Sequence, residues 1–162
     1  MDYKKFLDNI FTNLNEADID VSGYELDHIA YRATTNQSFD KVGLDLNQVG
    51  MKVFRNVIRN RFIDIYKLHI PISYLMRKIE FIELLAPAEG DTFNEGLEHV
   101  EFVVDNYNLH EFIEKHSSLS WNTNSIDREI SAEVGIKFEN GANIKFKTMS
   151  MPEIIQLESN KK

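Results

Sequence analysis

An acidic residue followed directly by histidine opens two similar stretches of the chain, Asp27-His28 in YELDHIAYRA and Glu98-His99 in GLEHVEFVV. Each runs on into apolar residues that suit a β-strand. Imidazole binds metals and moves protons near neutral pH, so an echoed pair is a candidate for chemistry. Side chains alternate faces along a strand, which puts His28, Ala30 and Arg32 on one face and His99, Glu101 and Val103 on another. If the two stretches are copies related by a pseudo-twofold axis, the two imidazoles approach each other and need only oxygen donors to complete a site. KIEFIELLAP supplies one. Glu80 and Glu83 point to opposite faces there, and Glu83 lies among Ile82, Leu84 and Leu85, a costly place for a carboxylate without a metal or hydrogen bonds. Glu80 suits solvent better. A His–His–carboxylate set with open positions suits Zn(II), Fe(II), Mn(II) or Ni(II) and would polarise a substrate oxygen or acidify water.

The elements that would position these residues can be read from periodicity. Tyr3, Phe6, Leu7, Ile10, Phe11 and Leu14 share one helical face, which predicts a helix over 2–17. A strand over 26–33, a helix over 36–48, and the strand-like runs MKVFRNVI, RFIDIYKL and KIEFIELL follow, with breaks expected at RN and at the proline-containing HIPIS. This β-α-β-β-β order fills 24–86, and a Pro- and Gly-containing linker occupies 87–96. A second β-α-β-β-β series over 97–149 ends in a hairpin whose Asn140-Gly141 predicts a type I′ turn. Ser150 and Pro152 open a short helix over 151–158. The repeat lies in element order and in the acid–His signature. One α+β domain over 1–162 is expected.

Composition narrows the function classes. The chain has 162 residues, no cysteine and a formal charge of −8. Disulfides and thiolate metal sites are excluded, so any metal must be held by His and carboxylate. An acidic chain repels phosphate backbones, which argues against a nucleic-acid partner. No apolar run is long enough to span a bilayer and no secretory signal is evident, so a cytoplasmic protein without a membrane partner is expected. A modest basic cluster, Lys52, Arg55, Arg59 and Arg61, leaves an anionic small molecule possible as ligand.

Paired βαβββ modules with DHI on the first strand, IEFIELLAP on the fourth and GLEHVEFVV opening the second half resemble the vicinal oxygen chelate superfamily of glyoxalases, extradiol dioxygenases, epimerases and antibiotic-sequestering proteins. Within it, DHIAYR, YKLHIP, GLEHVEFVV and NIKFKTMSMPEII resemble YecM-type proteins over about residues 20–158. The resemblance implies two modules forming a curved mixed sheet around a cleft, with an added N-terminal helix, and divalent-metal ligands at His28, Glu83 and His99. The fourth ligand position of the superfamily falls near Lys147, whose ammonium has no lone pair. His69 in YKLHIP is a further candidate as ligand or acid–base group, and Glu101 as a group that orients a ligand or acts as general base. Arg32, Lys67 and Lys147 are candidate substrate-binding cations.

Simpler roles stand beside these. Asp27, Glu98, Asp64 and Glu80 read as solvated strand-face charges, Lys147 as an exposed strand residue, His110 and His116 as exposed on a helix, and Trp121 and the phenylalanines as core. No Gly-rich phosphate loop, G-x-S-x-G elbow or H-E-x-x-H helix occurs. The expected function is metal-dependent isomerase, lyase or oxygenase chemistry on a small oxygen-chelating molecule. A metal-free module that sequesters a small molecule is the alternative, and a homodimer is compatible with either.

Overall fold

The computed structural model describes residues 1–58, 60–88, 90, 93–104 and 108–160. Arg59, one member of the basic cluster, lies outside them. Among the described residues there are four helices and eight strands with both parallel and antiparallel pairing, an α+β fold. The chain divides into two compact units, one formed by His28–Glu98 with Met1, the other by Asp2–Asp27 and His99–Lys162.

The first unit contains most of β1 (Glu25–Arg32), then α2 (Asn36–Val49), β2 (Gly50–Ile58), β3 (Arg61–Tyr74) and β4 (Arg77–Leu85), with strands in the order β2-β3-β4-β1. β1 runs parallel to β4, and β4 antiparallel to β3. The helix starts where Thr35 caps the Ser38 N–H and the Ser38 hydroxyl accepts the Thr35 N–H, each satisfying a donor that the first turn leaves open. Its buried Phe39, Val42 and Leu46 line one face. Gly43 on that face lets the Tyr66 hydroxyl approach, since an added Cβ would lie 3.1 Å from it.

Gly50 is tighter still: an added Cβ would lie 2.6 Å from the Lys67 carbonyl oxygen, a backbone atom held in the β2–β3 ladder. Gly50→Ala is therefore expected to cost about 1–3 kcal/mol by the usual scale of overpacking, read as a lower urea midpoint with an unchanged m-value.

The break expected at HIPIS does not occur. β3 continues through Pro71 to Tyr74, because β2 pairs with it only as far as Leu68 and the β3–β4 register is interrupted between Lys67 and Ile72, so the proline falls where neither ladder pairs. The chain reverses instead at Leu75-Met76, between Tyr74 and its partner Arg77.

The second unit holds α1 (Tyr3–Glu16), most of β5 (Gly96–Val103), α3 (Leu109–Lys115), β6 (Trp121–Ser125), β7 (Glu133–Lys137), β8 (Asn143–Lys147) and α4 (Met151–Ser159). Its strands are ordered β5-β8-β7-β6, with β5 parallel to β8. The apolar spacing of α1 buries Leu7, Ile10 and Leu14, and Phe11 meets Phe102 edge-on. Phe102, Phe112 and Trp121 all contact the Phe146 ring, which closes an aromatic core. His116, expected in solvent, is half-buried against Phe112, and burial lowers its pKa. Its neutral form is favoured in the folded state, so this group takes stability away as pH falls through its unfolded value near 6.5.

The β7–β8 connection also departs from a two-residue turn. It spans 138–142, closed by Phe138 N–H to the Ala142 carbonyl, and only Gly141 takes a positive φ, +89°. A type I′ turn needs positive φ at both central residues.

Candidate metal centre

In the first unit the parallel pairing of β1 with β4 sets Ala30 opposite Glu83 and His28 opposite Phe81. His28 and Glu83 thus stand one alternate residue apart on adjacent strands, and His28 Nε2 lies 3.9 Å from Glu83 Oε2. His28 is buried, and the Glu83 side chain is only 14% exposed. The carboxylate that the sequence places among apolar neighbours is therefore held beside an imidazole.

In the second unit His99 and Glu101 are both buried, two residues apart on β5, with His99 Nε2 3.2 Å from Glu101 Oε1. Here the carboxylate is on the same strand as the histidine. The register explains the difference. Glu101 pairs with Lys145 on β8, as Ala30 pairs with Glu83 on β4, so the second-half counterpart of Glu83 is Lys145, two residues before the expected Lys147.

Both lysines engage Glu101. Lys145 Nζ donates to Oε1 at 3.1 Å, and Lys147 Nζ lies 3.3 Å from Oε2. Lys147 also donates to Asp27 Oδ2 at 2.7 Å, while Asp27 Oδ1 accepts the Met151 N–H at 2.8 Å in the first turn of α4. Burial by itself pulls the Lys147 pKa down, but the Glu101 and Asp27 carboxylates outweigh it and the net shift is upward. The group is an ammonium ion. The expectations of an exposed Lys147 and a solvated Asp27 are thus corrected: both are buried, because each supplies the charge that the other needs in order to leave water.

Asp64 is likewise buried. Arg55 holds it with two guanidinium bonds, one of 2.6 Å, and Lys52 lies 3.4 Å away. This places part of the basic cluster in a structural ion pair. Glu98 is also no simple solvated charge, since Arg32 binds it at 2.8 Å while the guanidinium stacks over Phe93 at 4.4 Å. Lys67 pairs with Glu80 at 3.3 Å, both half in solvent, and lies 5.6 Å from the Phe81 ring. His69 is exposed on β3.

Two residues here take roles that the sequence does not signal at either position alone. Asp27 reads from sequence as a solvated strand-face charge, and Lys145 carries no distinguishing local pattern of its own. A signal for Lys145 exists only by comparison: the alternation in NIKFKTM puts Lys145 and Lys147 on one strand face, as the alternation in EHVE does for His99 and Glu101.

The YecM protein family model matches residues 1–158. The chain belongs to that family. An uncharacterised protein of Haemophilus influenzae is 31% identical over 106 residues, 65% of this chain and 52% of that protein. The chain spans about half the length of the curated relatives it matches. Among solved structures, Protein EC4020 superposes with a TM-score of 0.74 at 24% identity, covering 97% of this chain and 95% of that one. A variant of Streptomyces coelicolor methylmalonyl-CoA epimerase in complex with 2-nitronate-propionyl-CoA gives a TM-score of 0.57 at 13% identity, covering 78% and 97%. This YecM family member therefore has the vicinal oxygen chelate fold. No helix among the described residues is long and apolar enough to cross a membrane.

Proposed function

We propose that this YecM family member binds a divalent metal through His28, Glu83 and His99, and that Glu101 positions His99 from beside the ligand set. The observation that carries the reading is the repeated pairing of a buried histidine with a glutamate, His28 with Glu83 and His99 with Glu101. Imidazoles with carboxylate oxygens are a donor set for Zn(II), Fe(II), Mn(II) or Ni(II). Glu101 is assigned the positioning role because Lys145 and Lys147 already occupy its two oxygens, so becoming a ligand would require displacing a lysine.

A bound metal of this kind supplies a Lewis acid for a carbonyl or enolate oxygen. The substrate we infer is a small molecule with two chelating oxygens, undergoing isomerisation, lyase-type addition or oxygenation. Arg32 and Lys67 are the cations proposed to receive an anionic substituent. Lys147 is assigned to the internal ion network instead.

Zn(II), Mn(II), Fe(II) or Ni(II) added to metal-stripped protein is expected to raise its melting temperature, and EDTA to reverse the rise. At 100-fold excess over Kd the gain is about 2.7 kcal/mol. No shift with any of the four metals would reject the site. It would favour the second reading, a metal-free small-molecule binding module, for which the specific support is Lys145, a cation in the second unit at the position that answers to Glu83.

A further inference from the structure

We propose that the tip of the β3–β4 hairpin is a contact for the surface of an anionic lipid bilayer, a role independent of the metal centre. Its turn residues contradict ordinary turn chemistry. Leu75 takes a left-handed backbone with φ of +51°, where Gly, Asn or Asp is normally found. The β7–β8 loop of the same chain uses glycine for its positive φ.

The residues that replace the usual turn formers are large, apolar and held in water. Leu75 is 74% exposed, Met76 98% and Ile70, farther down the same arm, 83%. Backbone strain and apolar exposure each disfavour this choice, and both are relieved if the tip is buried in an apolar medium.

Charge selects the medium. In a chain of formal charge −8, no Asp or Glu occurs from Tyr66 to Ile79, while Arg77 and Lys78 do; Lys67, at the far end of the arm, is paired with Glu80. Arg77 and Lys78 immediately follow the apolar pair, and Lys78 is exposed on the strand. Apolar side chains at a tip with cations one or two residues behind match a bilayer surface, with Leu75 and Met76 at acyl-chain depth and the cations at the headgroups. Repulsion from acids elsewhere is screened beyond about 8 Å at physiological salt. A second protein is a poorer fit, because two side chains at a turn fall far short of the roughly 800 Å² per partner of a stable interface. This contact crosses no bilayer, but it departs from the expectation of no membrane partner.

The test is flotation of the full chain with vesicles of phosphatidylcholine alone or with about 30% phosphatidylglycerol. Wild type is expected to float with the anionic vesicles and to dissociate as salt is raised. Leu75→Gly/Met76→Asn, which puts glycine at the central residue that takes positive φ, should keep or raise the urea midpoint and weaken anionic-vesicle partitioning at least ten-fold. Lys78→Glu, an exposed position, should weaken it about ten-fold and serves if the turn variant misfolds. Absence of wild-type flotation, or equal flotation of the variants, overturns the proposal. So does a wild-type dimer in light scattering that the turn variant dissolves, which would assign the tip to a second copy of the chain.

Discussion

Replacing both His28 and His99 with alanine is expected to take the metal content of protein purified without tag or chelator from near one equivalent to near zero, measured by ICP-MS. The argument rests on ligand number. Loss of groups that merely orient a ligand commonly costs about 10- to 100-fold in affinity, and removal of two ligands out of three leaves one carboxylate, which competes poorly with water. Both histidines are buried, so the double variant also opens space in the interior. A far-ultraviolet spectrum and urea midpoint separate loss of metal from loss of fold. Glu83→Ala is the companion variant, because its side chain is more exposed than either histidine. Unchanged metal in both variants would place the metal elsewhere. No metal in wild type, even after reconstitution, would move the protein to the metal-free reading.

Lys147→Met is expected to destabilise the fold by about 3–5 kcal/mol, the usual scale for removing one member of a buried ion pair. For a chain of this size that corresponds to a fall of roughly 10 °C in melting temperature. The residue touches two carboxylates, and Asp27 in turn receives the first-turn N–H of α4. Without the ammonium, Asp27 is a buried anion facing methionine. Asp27→Asn/Lys147→Met should recover much of the loss, since the neutral amide oxygen still accepts from Met151. A single-variant loss under about 1 kcal/mol would refute the network as a structural anchor.

The pH dependence has a definite sign. The Lys147 pKa is raised on folding, so its stabilisation is fully present below the ordinary lysine value of 10.5 and is lost only as pH rises through the higher folded value. Stability measured between pH 6 and 9 should not report on this group.

Several features were legible because they depend on local pattern. The spacing of Tyr3, Phe6, Leu7, Ile10, Phe11 and Leu14 predicts a helix, and α1 runs from Tyr3 to Glu16. The two acid–His strands exist as β1 and β5, and the α+β class follows from the order of elements. Other features were misread because the deciding partner is distant in sequence. Pro71 signals a break only if a strand pairs with it, and here β2 ends its pairing at Leu68 while the β3–β4 register is interrupted between Lys67 and Ile72. Asp64 reads as solvated from its own neighbours, and only the β2–β3 pairing, which sets Arg55 opposite it, buries it.

The sequence by itself determined which residues could bind a metal, since only His and carboxylates are present to do so, and it determined a duplicated βαβββ order, since strand and helix periods are written in local hydrophobicity. Only the tertiary structure decided which charges are buried and with whom. Asp27 and Lys147 are 120 positions apart, and Lys145 meets Glu101 through the register of two parallel strands. The physical reason is that a charge leaves water only when its counter-charge is brought to it. That pairing is a property of strand register, and residue type alone does not encode it.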